Sequence, residues 1–172
     1  MTVSLREARA STADRAWIRA VYADYVAGLS GARSGIFPAL EGWSVREDDL
    51  VSAWFRDPAA QPFVILADGV RTGFALVGIP SGSGSGPHFR MIEFFVAPAA
   101  RRRGVGAHAA ALLFARFPGE WEILENEDNR AALAFWRRVI AEHTGGRYRE
   151  TRAAGEVRQR FLSAARTADR AG

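Results

Sequence analysis

The chain has 172 residues, 48% of them hydrophobic and 24% charged, a balance that fits one globular domain with a buried core and excludes a disordered or fibrous chain. No apolar run approaches the roughly 18–20 residues that cross a bilayer, and the lack of cysteine excludes disulfides, thiolate metal sites and cysteine nucleophiles. The formal net charge is +4 and every basic residue is an arginine, a mild positive balance that suits an anionic small ligand as well as a nucleic acid.

In chain order, TVSLREA at 2–8 alternates like a strand. Ser11 or Thr12 can cap the helix that follows, with Trp17, Val21, Tyr22 and Tyr25 at helical spacing. Gly28 to Gly42 is rich in Gly, Ser and Pro and reads as a loop. A second helix is expected from Ser44, whose capping-box partner is Glu47, and it should stop before Asp57-Pro58. Two apolar runs around Asp68-Gly69 predict a hairpin.

SGSGSGP at 81–87 is glycine-rich but lacks the Lys-Ser/Thr ending of a phosphate loop, so it reads as a connector. HFRMIEFFVAP at 88–98 is the most apolar strand and should be central. Arg103 to Phe117 reads as a helix stopped by Pro118-Gly119. EWEILE at 120–125 is a short strand. Asn126 to Asn129 lead into the helix AALAFWRRVIAEH, which should end at Gly145-Gly146. Two weaker strands follow near 147–152 and 156–162, and residues from about 164 to 172 read as a frayed end. The order β-α-α-β-β-β-α-β-α-β-β predicts a single domain over 1–172, a mixed α/β sheet with helices on its faces.

The densest positive charge, RRRGVGAHAA at 101–110, falls between the central strand and a helix start. The first turn of a helix offers unpaired N–H groups and a positive dipole end, and both stabilise an anion. Gly104 and Gly106 would let a bulky anion approach the backbone. A pyrophosphate fits this pattern. The nucleic-acid reading wants basic residues spread over one face, whereas Glu93, Glu120, Glu122, Glu125, Glu127 and Asp128 lie on neighbouring segments. His88, His108 and His143 are scattered, so no histidine-rich metal site is expected, and surface or supporting roles suit His88 and His108 better than catalysis.

The string FFVAPAARRRGVGAHAAALLF resembles the acetyl-CoA-binding motif of the GNAT N-acetyltransferase superfamily, Arg/Gln-x-x-Gly-x-Gly/Ala, on Arg101, Gly104 and Gly106. Downstream, NRAALAFWRRVI resembles that superfamily's next motif, on Asn129, Ala132, Phe135 and Trp136. The motifs cover about residues 88–150, and within the superfamily the chain is similar to a bacterial group of acetyltransferases without an assigned substrate. The resemblance implies an α/β fold (α+β in some schemes), with about seven strands flanked by about four helices.

It also implies that the N–H groups of Val105, Gly106 and Ala107 bind the pyrophosphate of acetyl-CoA, with Arg101, Arg102, Arg103 and Gly104 around it. The pantetheine arm would lie in a V-shaped split beside the central strand, lined in part by Phe135. A backbone amide at Phe95 or Val96 would polarise the thioester carbonyl. Asn129 would bind the cofactor arm, cap its helix, or do both. No metal enters this chemistry.

Acyl transfer to an amine needs the neutral nucleophile, and an alkyl ammonium has a reference pKa of about 10. Glu93, which interrupts the apolar strand MIEFF, is the candidate base; a structural ion pair is the other reading. The family often places a tyrosine acid where this chain has Trp136, and an indole N–H is no such acid. Tyr148 could substitute, although packing accounts for it as well. Trp121, Phe135 and Trp136 read as packing around the sheet.

In such folds the acceptor site is built by the loop between the first two helices and by the last hairpin. Here those are a loop with Arg33, Phe37, Glu41 and Trp43, and TRAAGEVRQ. Glu41 with Trp43 would suit an amine and Arg33 a carboxylate; plain loop surface is the other reading of all four. The sequence therefore leads to an acetyl-CoA-dependent transferase acting on a small-molecule or peptide amine, with no nucleic-acid or membrane partner; the oligomeric state is not readable from the sequence, and a homodimer, common in the resembling family, is one possibility. The start MTVSLREARA has no apolar core of a signal peptide, so a cytoplasmic protein is expected. A non-enzymatic acyl-CoA-binding domain is the alternative, kept open by Trp136.

Overall fold

The computed structural model describes residues 1–29, 47–79 and 87–164. Its elements are β1 (Val3–Glu7), α1 (Thr12–Leu29), α2 (Glu47–Arg56), β2 (Ala60–Ala67), β3 (Val70–Gly78), β4 (Phe89–Val96), α3 (Val105–Arg116), β5 (Gly119–Asn126), α4 (Arg130–Thr144), β6 (Tyr148–Ala153) and β7 (Glu156–Ser163), with a 3-10 turn at Pro98–Ala100. Ser11 caps α1 by accepting the Asp14 N–H on Oγ at 3.1 Å. The β2–β3 hairpin turns on Asp68 (φ 49°) and Gly69 (φ 80°), the left-handed pair that two-residue hairpins require. The proposed Ser44 cap, the loop residues Arg33, Phe37, Glu41 and Trp43, the connector at 81–86 and the chain beyond 164 lie outside the described residues, as does the side chain of Tyr25.

The strands form one seven-stranded sheet in the order β1-β2-β3-β4-β5-β7-β6. β4 is central, as its continuous apolar character predicts. Only β4 and β5 run parallel; every other pair is antiparallel. The element order follows the sequence, but the sheet order does not, because β7 inserts between β5 and β6. β5 thereby pairs with β7 along its whole length, from Gly119↔Ser163 to Asn126↔Glu156.

Two helix layers cover the sheet. On one face Ile18 and Tyr22 of α1, with Val51 and Phe55 of α2, pack on Val64, Phe74 and Phe95. On the other, Leu113 and Phe114 of α3 and Trp136, Val139 and Ile140 of α4 pack on Phe63, Met91, Trp121, Ile123 and Phe161. Burying such a side chain stabilises by about 1.5–3 kcal/mol each, so these two layers hold the sheet.

A bulge in β4 decides which way its carboxylate faces. Leu76 pairs with Glu93 while the next residue, Val77, pairs with Met91, leaving Ile92 as the extra residue. Strict alternation would put Met91, Glu93 and Phe95 on one face. The bulge switches the parity: Met91 packs under α3 and α4, whereas Phe95 packs under α1 and α2 and Glu93 meets Tyr22 of α1.

Helix α3 starts two residues later than the sequence suggests, at Val105 instead of Arg103. Arg102 (φ 59°) and Gly104 (φ 83°) are both left-handed, and such backbone cannot continue a right-handed helix.

Candidate active site

β4 and β5 pair only from Phe89↔Trp121 to Met91↔Ile123. Beyond that point the strands diverge and leave a cleft of about 690 Å³. Phe94, Phe95 and Val96 form one wall, and Leu124 and Glu125 the other. The start of α3 contributes Arg101, Arg102, Gly104, Gly106 and Ala107, and α4 closes the cleft with Asn129, Phe135 and Trp136.

The open edge of β4 carries polar backbone that β5 does not pair, and the ladder says which. The Ala97 N–H donates to the Thr72 carbonyl at 2.8 Å. The register continues by twos through Phe74↔Phe95 and Leu76↔Glu93. Antiparallel ladders alternate, so the backbone groups of Glu93 and Phe95 point at β3 and those of Phe94 and Val96 point into the split. Of the two amides singled out by sequence, Val96 therefore faces the cleft, and Phe95 turns its peptide toward β3.

At the wide end, α3 begins without any side-chain cap on its N–H groups. The first intrahelical bond runs from His108 N to Gly104 O at 3.0 Å, so the N–H groups of Val105, Gly106 and Ala107 have no helical partner. That is an anion cradle of the kind a pyrophosphate fills. The glycines serve it differently from the open approach expected of both. Gly104 holds the left-handed turn. Gly106 is a packing glycine, since a Cβ there would lie 3.2 Å from the Phe135 ring. The side chain of Val105 is buried and that of Arg103 is exposed, and neither lines the cleft. Arg101 donates from Nε to the Val96 carbonyl at 2.8 Å and lies over the Phe95 ring, tying the loop to the end of β4.

Asn129 uses both ends of its amide. Oδ1 accepts the Ala132 N–H at 3.3 Å and caps α4, while Nδ2 donates to Glu125 Oε1 at 3.1 Å. Glu125 also accepts the Asn126 N–H at 3.1 Å. Burial pushes the Glu125 carboxyl above the ordinary range, against the lowering effect of those two bonds. Phe135 stacks on Phe94 at 5.7 Å, and Trp136 meets Phe94 edge-on at 5.0 Å. Trp136 is buried, whereas Tyr148 packs against the core away from the cleft.

Glu93 lies on the opposite face, 2% exposed, with the Tyr22 hydroxyl 3.5 Å from its Oε1. Tyr22 is fixed by Trp54 at 4.9 Å and Phe74 at 6.2 Å. The split is thus a gap in the sheet: the anion cradle belongs to the α3–α4 side and the carboxylate to the α1–α2 side. His88 and His108 are exposed. Among the described residues no group of three or more His, Cys, Asp or Glu could hold a metal.

Sequence reading missed the parts played by Tyr22 and Glu125. For Glu125 the signal was available, because alternation from Trp121 and Ile123 puts it on the α3–α4 side of β5. For Tyr22 there was none, since its contact with Glu93 spans 71 positions.

The model of the acetyltransferase (GNAT) family matches residues 12–140. Among solved structures, an acetyltransferase from Thermus thermophilus superposes with a TM-score of 0.63 at 14% identity, over 94% of this chain and 97% of that one. PaiA N-acetyltransferase from Thermoplasma acidophilum, solved with coenzyme A, gives 0.60 at 12% identity over 94% and 99%. A putative acetyltransferase from Salmonella typhimurium, solved with acetyl-CoA, gives 0.58 at 18% identity over 100% of both chains. A comparison with curated proteins finds no match.

Proposed function

The chain belongs to the GNAT acetyltransferase family, and from that premise we propose that it moves an acetyl group from acetyl-CoA directly to an amine, with Glu93 as the base. The observation that carries this reading is the split beside β4, with uncapped helix N–H groups at one end and a buried carboxylate behind it.

Bound acetyl-CoA supplies an activated thioester. The N–H groups of Val105, Gly106 and Ala107 hold its pyrophosphate, with Arg101 and Arg102 screening the charge. Arg103 adds long-range attraction from outside the cleft. The Val96 N–H, aimed into the split, polarises the carbonyl. Phe94 and Phe135 wall the arm, and Glu125 holds Asn129 in place beside it. Glu93 takes the proton of an acceptor ammonium arriving from the α1–α2 side, and Tyr22 steadies that carboxylate. Trp136 has no proton to give a departing thiolate. Reprotonation of the sulfur then falls to water or to the acceptor's own nitrogen.

The same reading carries a single domain in a bacterial cytoplasm, acting on a small-molecule or peptide amine. The lack of cysteine supports the compartment. Among the described residues no helix is long and apolar enough to cross a membrane. Trp136 favours the second reading, a non-enzymatic acyl-CoA-binding domain. Calorimetric titration with acetyl-CoA, followed by an amine screen that reads thiol release, tests both. No binding at roughly 0.5 mM acetyl-CoA removes the central reading, and binding without turnover on any amine leaves the second.

A further inference from the structure

Resting on the transferase reading, we infer that the acceptor is an amine that also carries a carboxylate or phosphate, held by a guanidinium cluster on the sheet face that bears Glu93. Arg90 of β4 and Arg158 and Arg160 of β7 converge on Glu122 of β5. Glu122 is wholly buried, while the three arginine side chains are 43%, 46% and 47% exposed. Arg90 reaches Oε1 through Nε and Nη2, and Arg160 reaches Oε2 through the same two atoms. Arg158 stands further off, at 3.4 Å.

One carboxylate cannot neutralise three guanidinium groups. Burial acts to raise the Glu122 pKa, but the bonds from Arg160 and Arg90 and the nearby charges outweigh it, so the carboxyl stays ionised and the cluster keeps two net positive charges. Glu120 and Glu156 share this face, each two residues along a strand, and neither lies within 4 Å of these guanidinium groups. The Nη1 edges of Arg90 and Arg160 are not used by Glu122. Guanidinium edges of this kind fit a carboxylate or phosphate in a two-pronged arrangement.

The orientation follows from alternation. Trp121, Ile123, Met91 and Phe161 all pack under α3 and α4. Glu122, Arg90 and Arg160, being their immediate neighbours, point to the other face, the side where Glu93 meets Tyr22. Among the described residues α1 and α2 cover β2, β3 and β4 on that face, and the β5–β7 half is left open.

With about 3.3 Å per residue and about 4.8 Å between strands, the cluster stands about 10 Å from Glu93. The ground between is apolar. Ile92, 36% exposed at the bulge, extends over Gly78, and Leu124 is half-buried beside it. An acceptor with its nitrogen at Glu93, an aliphatic middle on Ile92 and Leu124, and an anionic end on the arginines matches all three zones.

The test uses the full chain saturated with CoA, titrated by NMR with ω-aminooctanoate, ω-aminooctyl phosphate and ω-aminooctanol. The two anionic probes should bind at least about tenfold tighter than the alcohol, and their ranking tells carboxylate from phosphate. Arg158→Gln leaves both Glu122 oxygens on Arg90 and Arg160, so the fold stands; it should cut the anionic advantage about fivefold and leave the alcohol unchanged. Arg149→Gln, across the β6–β7 pair from Arg160, is the second variant and should act in the same direction. Equal affinities for the three probes, or an anionic advantage untouched by both substitutions, overturns the inference. So does binding of none of them while CoA binds. CoA binding is read first in the same experiment, so its failure points to the transferase reading, and the probe ratio without CoA still decides the arginine site.

Discussion

The Tyr22 hydroxyl of α1 stands 3.5 Å from Oε1 of Glu93 in β4, joining the first helix to the centre of the sheet. A hydroxyl that donates to a carboxylate favours its ionised form. Tyr22→Phe keeps the ring contacts with Trp54 and Phe74 and removes only the donor. The kcat/KM should therefore fall about threefold to tenfold at neutral pH, read as thiol release. A kcat/KM equal to the parent's in Tyr22→Phe would detach this pair from catalysis.

Glu93→Gln tests the proposed base. The side chain keeps its volume, so acetyl-CoA affinity should hold while kcat falls about 10²- to 10⁴-fold. Stopped-flow or steady-state thiol release measures it, with calorimetry as the binding control. Turnover equal to that of the parent enzyme would put the proton transfer elsewhere.

The two glycines at the start of α3 should fail differently. Gly104→Ala meets no steric obstacle, its nearest neighbour being His108 at 3.5 Å, but it must hold φ 83°. It should cost about 1–2 kcal/mol of stability, read by denaturant melts. Gly106→Val drives the Phe135 ring out of its place against α3. Acetyl-CoA binding should weaken at least about tenfold, with a smaller change in stability than the large core truncations give. Equal affinity in the Gly106 variant would mean that the phosphates lie elsewhere.

Burial raises the Glu125 carboxyl above its unfolded value of 4.5. A raised pKa means that its protonated form stabilises the fold below that value, and the contribution is lost as pH rises through the folded pKa. Glu125→Gln removes the titration and keeps an acceptor for Asn129. Its stability relative to the parent should rise between about pH 4.5 and neutrality. A difference that stays flat over that range would show that Glu125 does not titrate there.

Asp14 behaves in the opposite sense. It is fully buried between Arg6 and Arg71, at 2.7 and 2.8 Å, and ties the start of α1 to β1 and β3. The Arg6 hydrogen bond, with help from Arg71, holds its carboxyl down to about 2 from 3.8, against burial. A depressed pKa gives stability that is present above 3.8 and lost as pH falls toward 2. The loss should reach about 2 kcal/mol and be absent in Asp14→Asn, whose overall stability is lower at neutral pH. Urea melts at several pH values read it directly.

Much of the fold was legible in the sequence, and so were several of the residues that line the cleft. Local patterns set the element order, because periodicity, Asp68-Gly69, Ser11 and Asn129 act over a few residues. The strand–turn–helix from Phe94 to Ala107 was legible for the same reason: an anion cradle at a helix start is a local structure. Its boundary moved by two residues, since a left-handed Arg102 leaves no trace in composition.

The rest depends on pairings that no local pattern encodes. Read as plain alternation, β4 puts Glu93 with Met91; the extra residue at Ile92 turns it to Tyr22 instead, and only the register with β3 reveals that. Arg90, Glu122, Arg158 and Arg160 look like scattered surface charge until β7 inserts beside β5 and gathers them. Short-range chemistry, readable along the chain, settles the elements, the family and the uncapped helix start at the wide end of the cleft. Which face holds Glu93, and what stands about 10 Å from it, emerge from the assembled sheet, because a strand's register and neighbours are properties of the whole sheet.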